Sequence, residues 1–263
     1  MSLKPSNLVQ SIERVAKILE LVGQSTQGIG IRDLSKTLKL PKGTVHRLLS
    51  SLAYMGYIRQ EAITKNYFLG LKLLELGHLV THQLDIIKIA KPILKDLAER
   101  TMETVHMAIL ENNEIVYIDK VETEQNTGGL KMASRVGSRN PAYSCAIGKT
   151  LLAYSTKDDV EHLIQETKLT KRTNHTITDP HQLRDHLKNV RYQGYAIDDE
   201  ENEMGIRCIA APVFSDKGKP VTAISISGPA FRVTRRAIQE SLKKEVTKAA
   251  SEISRLLGFT GQR

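Results

Sequence analysis

Apolar residues recur at helical spacing through the first fifty positions of the chain. A first helix is predicted over residues 9–23, where the inward-facing series is Ile12, Val15, Ala16, Leu19 and Val22. Two shorter helices are predicted over residues 31–38 and 44–52, and the segment between them contains Pro41 and Gly43, which break helices. Two short helices joined by a tight turn are typical of a helix-turn-helix.

A hairpin is predicted directly after the third helix. Residues 57–60 and 66–70 are rich in β-forming side chains, and the turn between them carries Lys65. A hairpin that follows a recognition-type helix is the wing of a winged helix. The sequence therefore predicts a winged helix-turn-helix domain over residues 1–70.

A strongly helical pattern covers residues 71–100. We expect the helix to restart at Pro92, because a proline inside a helix removes a hydrogen bond. Residues 71–90 are interpreted as a linker helix with an apolar stripe that has to be buried. A second copy of the chain would bury it, since DNA half-sites usually require paired readers, but packing on the neighbouring domain is the alternative.

The pattern changes after residue 100 to a mixture of strands and helices. Strands are predicted over residues 105–110, 115–119, 130–134, 195–197, 206–214 and 221–227. Helices are predicted over residues 145–153, 158–166, 180–193 and 234–257. This order predicts an α+β domain with a mainly antiparallel sheet over residues 91–263.

Positive charge is concentrated in the predicted DNA-binding part of the chain. The formal net charge is +9, and residues 1–80 hold eleven Lys and Arg against five Asp and Glu, a balance of +6. The remaining 183 residues hold 27 against 24, a balance of +3. Such a concentration is expected of a module that binds phosphates, although a solvated basic surface would carry the same charge.

The outward positions of the third predicted helix favour DNA as the partner. They carry small hydroxyls, one imidazole and two cations, on Lys42, Thr44, His46, Arg47, Ser50 and Ser51. These groups reach phosphates and base edges without steric obstruction. Together with Lys65 they predict an interface with a double-stranded DNA operator, and a helical domain that binds only proteins is the alternative.

Several other classes of protein are disfavoured. No apolar run approaches the roughly 18 residues of a membrane span, and the N-terminus lacks a signal pattern, so we expect a cytoplasmic protein with no membrane attachment. Cys145 and Cys208 form no metal-type pair, and we expect neither a metal nor a cofactor. An enzyme is disfavoured because no phosphate-binding glycine motif or nucleophile elbow occurs.

Three ordered motifs extend over almost the whole chain. The first lies at residues 40–49 and continues at residues 56–58 and 67–70. The second lies at residues 143–149, and the third at residues 194–201 with its continuation at residues 205–213 and 223–229. On these motifs the chain resembles the IclR family of bacterial regulators. The resemblance implies a GAF-like effector domain, homodimers that pair into homotetramers, and control of catabolic genes by a small carboxylate metabolite. Residues 134–141 also resemble the keto-deoxygluconate (pectin-degradation) repressor branch of this family.

A carboxylate site is predicted where polar groups meet the start of a helix. Residues 144–149 open a helix with small side chains, so the backbone N–H groups near Ala146 and Ile147 could hold an anion. An ordinary helix start packed on the sheet has the same composition. Ser225 and Ser227 place both hydroxyls on one face of a strand, which either lines a cavity or is wetted by solvent.

Four further residues complete the predicted effector site. Asp198 matches the family position that faces the effector, where it could accept hydrogen bonds from ligand hydroxyls. Cys208 is either a small buried hydrophobe or a wall of the pocket, and the resemblance favours the wall. Leu130 and Met132 would supply the apolar side.

The function predicted from the sequence is that of a repressor released from DNA by a small carboxylate, with a keto-sugar acid such as 2-keto-3-deoxygluconate favoured. Effector binding would change the placement of the paired winged helices, which have to meet two half-sites together. The alternative is an activator or repressor of the same family that responds to another keto acid or to an aromatic acid.

Overall fold

The chain divides into two compact units, Met1–Leu84 and Asp85–Arg263. The computed structural model describes residues 8–83, 85–123, 132 and 134–261. Each unit has its own cluster of buried apolar side chains. The division falls inside the helical stretch that the sequence predicts over residues 71–100.

Three helices form the centre of the first unit: α1 (Gln10–Gln24), α2 (Ile31–Leu38) and α3 (Lys42–Tyr54). Lys39 has a left-handed backbone (φ 53°) that ends α2, and Pro41 is the N-cap of α3. The apolar faces of the three helices share a core formed by Ile18, Val22, Leu34, Val45, Leu49 and Leu52. The predicted helix-turn-helix is therefore present.

An antiparallel hairpin follows α3 and consists of β1 (Ile58–Gln60) and β2 (Tyr67–Leu69). Arg59 lies opposite Phe68, and its guanidinium carbon is 4.7 Å from the centroid of the phenyl ring. Gly70 closes the base of the hairpin, where a Cβ atom would lie 2.1 Å from the main-chain oxygen of Gly56. Any larger residue at position 70 would force the wing away from the end of α3.

Two helices follow the hairpin, α4 (Leu71–Gln83) and α5 (Asp85–Thr101). Helix α5 continues through Pro92, so the prediction that the helix restarts at this proline is wrong. The proline removes one main-chain hydrogen bond. Helix α5 nevertheless buries Ile93, Leu94 and Leu97 on the C-terminal side of the proline, and this packing outweighs the local cost.

Helix α4 differs from α5 in leaving its large apolar side chains in solvent. Leu71 and Leu74 are 76% and 72% exposed, and Leu79 and Val80 are more than half exposed. Large apolar residues that are clustered on one element and not buried in the monomer mark an interaction surface.

The second unit is built on a six-stranded sheet. Its strands are β3 (Thr104–Glu111), β4 (Glu114–Val121), β5 (Arg139–Pro141), β6 (Ala196–Asp199), β7 (Ile206–Phe214) and β8 (Pro220–Pro229). Their spatial order is β5-β4-β3-β8-β7-β6, and every pairing is antiparallel. The mainly antiparallel sheet of the prediction is confirmed. The predicted strand over residues 130–134 lies mostly outside the described residues.

The helices of the second unit pack on this sheet. After a 3-10 turn (Ala142–Ser144) come α6 (Ala146–Leu152), α7 (Lys157–Glu166), α8 (Pro180–Gln193), α9 (Arg235–Ala237) and α10 (Lys243–Leu256). Helix α6 contacts the central strands β7, β8 and β3, whereas α10 contacts β7 and α5. A π-helical turn, Ile238–Leu242, interrupts what the sequence predicts as one long helix. Within the described parts of the chain, every helix is too short or too polar to cross a membrane.

Candidate functional site

The predicted DNA-contacting face of α3 is turned to solvent. Lys42, His46, Arg47, Ser50 and Ser51 are exposed and Thr44 is half-buried. The opposite side of the helix carries the buried anchors Val45, Leu49 and Leu52. The six side chains are thus presented by a helix whose position the core fixes, which is the arrangement required for reading a groove of DNA.

Lys65 lies in the turn of the hairpin. It is exposed, has a left-handed backbone (φ 60°), and its main-chain oxygen accepts a hydrogen bond from the Gln60 side chain at 2.9 Å. The Thr64 hydroxyl accepts from the main-chain N–H of Asn66 at 3.2 Å. The tip of the wing is therefore a structured turn that displays a cation.

A cavity of about 270 Å³ lies in the second unit between the sheet and the start of α6. Seven of the eight residues predicted for the effector site line it: Met132, Ala146, Ile147, Asp198, Cys208, Ser225 and Ser227. The eighth, Leu130, lies outside the described residues. The cavity wall is largely polar, and its lining includes the cations Arg139 and Arg172 as well as the acidic residues Asp198 and Glu203.

Asp198 is buried at the end of β6, with 2% of its surface exposed. Its Oδ1 atom accepts hydrogen bonds from the main-chain N–H groups of Glu201 (2.8 Å) and Asn202 (3.3 Å). Burial raises the pKa of Asp198 to about 7, against the opposing effect of the Lys149 ammonium. At neutral pH this carboxyl group therefore exchanges between a hydrogen-bond donor and an anion.

An ion pair lies directly behind Asp198. The fully buried Lys149, on α6, donates to Glu201, whose other carboxylate oxygen is buried without a hydrogen-bond partner among the described residues. The hydroxyls of Thr173 and Thr176 donate to the main-chain oxygen of Glu201 at 3.3 and 2.7 Å. The pair therefore ties α6 to the segment after β6, and both elements carry residues of the cavity wall.

A row of hydrogen-bonded side chains crosses the sheet side of the cavity. The two ring nitrogens of His106 lie 3.3 Å from the Ser227 hydroxyl and 2.8 Å from the Ser134 hydroxyl, and Ser225 lies 3.2 Å from Ser227. Burial, with a smaller effect of the Lys120 ammonium, lowers the pKa of His106 to about 3. The ring is therefore neutral, with one donor and one acceptor nitrogen.

His106 is a site residue that sequence reasoning missed. It occurs in a predicted strand as one imidazole among apolar residues, a weak signal. The register of the sheet places it opposite Ser225, so that residues about 120 positions apart share one face. Tyr117 was missed in the same way, and its hydroxyl accepts a hydrogen bond from Asn140 at 3.2 Å.

The two cysteines are unsuited to nucleophilic chemistry. Burial raises the pKa of Cys145 to about 12, and burial also raises the pKa of Cys208 well above its usual value. Both side chains are therefore thiols at neutral pH, and the thiolate is the nucleophilic form. Among the described residues, His, Cys, Asp and Glu side chains form no group of three that could hold a metal ion.

Two family models match the chain. The model described as the IclR helix-turn-helix domain matches residues 11–62, and the model described as the C-terminal domain of the bacterial transcriptional regulator IclR matches residues 78–255. The matched segments contain α3 and the cavity described above. The second match alone covers more than half of the chain.

Individual proteins with the same organisation are similar over almost the full length. The HTH-type transcriptional regulator KdgR of Escherichia coli (strain K12) is 39% identical over 256 residues, which are 97% of this chain and 95% of that protein. The transcriptional repressor IclR of the same organism is 34% identical over 257 residues, 97% of this chain and 92% of that protein. An IclR homolog from Microbacterium hydrocarbonoxydans, solved with 4-hydroxybenzoate, is 25% identical with a TM-score of 0.80, over 94% of this chain and 98% of that chain.

Proposed function

Because this chain belongs to the IclR family of bacterial transcriptional regulators, we propose that it represses carbon-catabolic genes and releases its operator when a small hydroxylated carboxylate, such as 2-keto-3-deoxygluconate, enters the cavity around Asp198. The observation that carries the proposal is the largely polar wall of that cavity, to which Asp198, Ser225 and Ser227 all contribute. Since the target is chromosomal DNA, we expect the protein to act in the cytoplasm.

The DNA-binding part of the proposal rests on α3 and the hairpin. Lys42, Thr44, His46, Arg47, Ser50 and Ser51 would contact phosphates and base edges in the major groove, and Lys65 would contact the backbone beside it. The exposed leucines of α4 support pairing with a second copy of the chain, because a dimer would bury them and supply two readers for two half-sites. A homodimer, paired further into a homotetramer, is the assembly we propose.

The chemistry of the cavity supports a ligand with both a carboxylate and hydroxyl groups. The first backbone N–H groups of α6, at Ala146 and Ile147, have no partner within the helix and could donate to the carboxylate. The serine hydroxyls and Asp198 offer donors and acceptors that would remain unsatisfied around a purely apolar ligand. Met132 supplies an apolar contact on another side. The resemblance of residues 134–141 to the keto-deoxygluconate repressor branch favours the same ligand class.

An aromatic acid is the second candidate effector. The homolog from Microbacterium hydrocarbonoxydans was solved with 4-hydroxybenzoate. In this chain the rings of His106 and Tyr117 lie 5.0 Å apart at the cavity wall, where a ligand ring could pack beside them. An activator or repressor that responds to such an acid, or to another keto acid, is the alternative function.

Release from DNA requires that the effector bind one arrangement of the dimer more tightly than another. We propose that a ligand in the cavity changes the spacing of the paired winged helices, so that both half-sites cannot be met at once. The ligand binds the DNA-free protein more tightly than the operator complex, and this difference in binding free energy equals the free energy lost from operator binding, since the coupling between the two sites is reciprocal.

Calorimetric titration of the full chain with 2-keto-3-deoxygluconate, pyruvate, glyoxylate and 4-hydroxybenzoate tests the effector assignment. We expect the keto-sugar acid to bind most tightly and Asp198→Ala to abolish that binding. An operator selected from random duplexes then reports whether the same acid releases DNA. Equal affinities for all four acids would overturn the choice of a keto-sugar acid, and binding that survives Asp198→Ala would remove the cavity from the proposal.

A further inference from the structure

A second cavity in the effector-binding unit lies apart from the one around Asp198. It measures about 690 Å³ and is bounded by α8, α10, the end of β7 and residues near the C-terminus. No described residue lines both cavities. Pockets that bind small ligands fall in this size range and combine apolar walls with a few polar groups.

Three aromatic rings form one wall of the second cavity. Phe214 and Phe259 stack with their centroids 5.0 Å apart, and Tyr154 meets Phe214 edge to face at 5.2 Å. Ala211 and Ala250 add small side chains that leave the rings accessible from the cavity. Aromatic faces and edges attract a further ring in the same geometries, so this wall fits a flat aromatic ligand.

Arg191 brings positive charge to the aromatic wall. Its guanidinium carbon lies 5.3 Å from the centroid of the Tyr154 ring, and it donates to the main-chain oxygen of Ala153 at 3.3 Å. Arg184 and Arg207, in the same unit, are paired with carboxylates at 2.6 Å. The described contacts of Arg191 are with a ring and a neutral oxygen, and a guanidinium binds a carboxylate more strongly than either.

We propose that this second cavity binds an aromatic carboxylate, with the ligand ring against Phe214 and Phe259 and the ligand carboxylate on Arg191. The ligand class differs from that of the Asp198 cavity, whose wall is rich in hydroxyl groups. The proposal depends on the geometry of the second cavity alone and stands whichever acid is the effector of the first.

The test is a fluorine NMR titration of the full chain with 4-fluorobenzoate. We expect saturable broadening of the ligand signal, and we expect Arg191→Leu to weaken binding by about tenfold or more, because it removes the charged hydrogen-bond donor. Arg191→Lys, which keeps the charge, should retain part of the affinity.

Phe259→Ala tests the aromatic wall and should also weaken binding. Phe259→Leu replaces it if the alanine variant fails to fold. The uncharged 4-fluorobenzamide should bind the wild-type chain as weakly as 4-fluorobenzoate binds Arg191→Leu.

Asp198→Ala is the control that separates the two cavities. Because Asp198 lines the first cavity only, the variant should bind 4-fluorobenzoate as the wild-type chain does. Binding that is lost in Asp198→Ala would place the aromatic acid in the first cavity and overturn the proposal. An affinity for 4-fluorobenzoate that Arg191→Leu leaves unchanged would overturn the proposal as well. So would the absence of saturable binding to the wild-type chain.

Discussion

The two units of this regulator hold their functional side chains in opposite environments. Lys42 and Arg47 stand exposed on α3, whereas Lys149 is buried and Asp198 is buried in the wall of the cavity for which we propose an effector. A surface that binds phosphates needs its cations in solvent until DNA arrives, because the affinity comes from released counterions. A site that selects one small molecule needs groups that are held in place and kept from water. The same residue type, lysine, therefore has an exposed position proposed to meet DNA in one unit and a buried, paired position in the other.

This difference determines whether the properties of each unit should depend mainly on ionic strength or on pH. Exposed cations lose their effect as salt screens them, so operator binding should depend mainly on ionic strength. Buried titratable groups respond to protons, because burial shifts their pKa towards or away from neutrality. Mutations and conditions can therefore be chosen to affect one unit and spare the other.

The largest expected effect comes from breaking the buried ion pair. Lys149→Met leaves Glu201 as an uncompensated buried charge, and we expect the second unit to lose about 3–5 kcal/mol of unfolding free energy. Urea denaturation followed by circular dichroism measures the loss. Adding Glu201→Gln to the variant should restore part of the stability, because the unpaired charge is then gone.

Lys42→Met is the matched control for this prediction. The side chain is exposed on α3, so the unfolding free energy should change by no more than about 0.5 kcal/mol. If the two lysine variants unfold at the same urea concentration, the contrast between an exposed lysine and a lysine that stabilises the fold is incorrect.

The second effect in size is the pH dependence that Asp198 contributes to stability. Its pKa in the folded chain is about 7, raised from an ordinary value of 3.8. Between these two pH values the folded chain holds a proton that the unfolded chain has released, so this group lowers the unfolding free energy as pH rises from about 4 to 7, with the full loss present above pH 7. Asp198→Asn removes that loss.

The stability of Asp198→Asn relative to wild type should therefore increase with pH, by up to about 4 kcal/mol between pH 4 and pH 8. Urea denaturation at the two pH values checks the trend, and Asp216→Asn, in the exposed turn between β7 and β8, is the control that should show no comparable gain. A gain that stays constant or falls as pH rises would mean that Asp198 is ionised in the folded chain throughout this range.

The contrast between the units also explains what the sequence could predict. The helices of the first unit follow local periodicity, and the residues that would meet DNA lie within a few turns of one another, so both were predictable. Asp198 and Cys208 were found through the family resemblance. His106 was not, because its partners Ser134 and Ser227 come from distant parts of the chain and periodicity does not reveal strand neighbours. Lys149 occupies a position that local pattern assigns to a helix surface, although tertiary packing buries it completely.

The third prediction tests how Arg47, on the exposed face of α3 in the first unit, would contact DNA. Arg47→Ala should weaken operator binding by about 1–3 kcal/mol if the guanidinium meets a base edge, and should reduce the salt slope by about one if it meets a phosphate. Fluorescence anisotropy with a labelled operator over a salt series distinguishes these outcomes. Arg255→Ala, an exposed arginine on α10, is the control and should bind the operator as wild type does. Unchanged affinity of Arg47→Ala at every salt concentration would remove Arg47 from the interface.

The smallest expected effect concerns how the cavity of the second unit selects between ligands with and without hydroxyl groups. His106→Phe keeps a ring of similar size but removes one hydrogen-bond partner from the hydroxyl of Ser134 and one from the hydroxyl of Ser227, which keeps its contact with Ser225. Both hydroxyls are then held less firmly in the orientation that a ligand would meet. A neutral hydrogen bond contributes about 1 kcal/mol, and we expect the affinity for 2-keto-3-deoxygluconate to fall about fivefold to tenfold. Pyruvate has no hydroxyl group for these serines to bind, so its affinity should change little.

Calorimetric titration of wild type and variant with both acids gives the change in affinity for each acid. An equal loss for both acids would mean that His106 shapes the cavity and does not select hydroxyl groups, which would weaken the case for a hydroxylated effector while leaving the DNA-binding surface untouched.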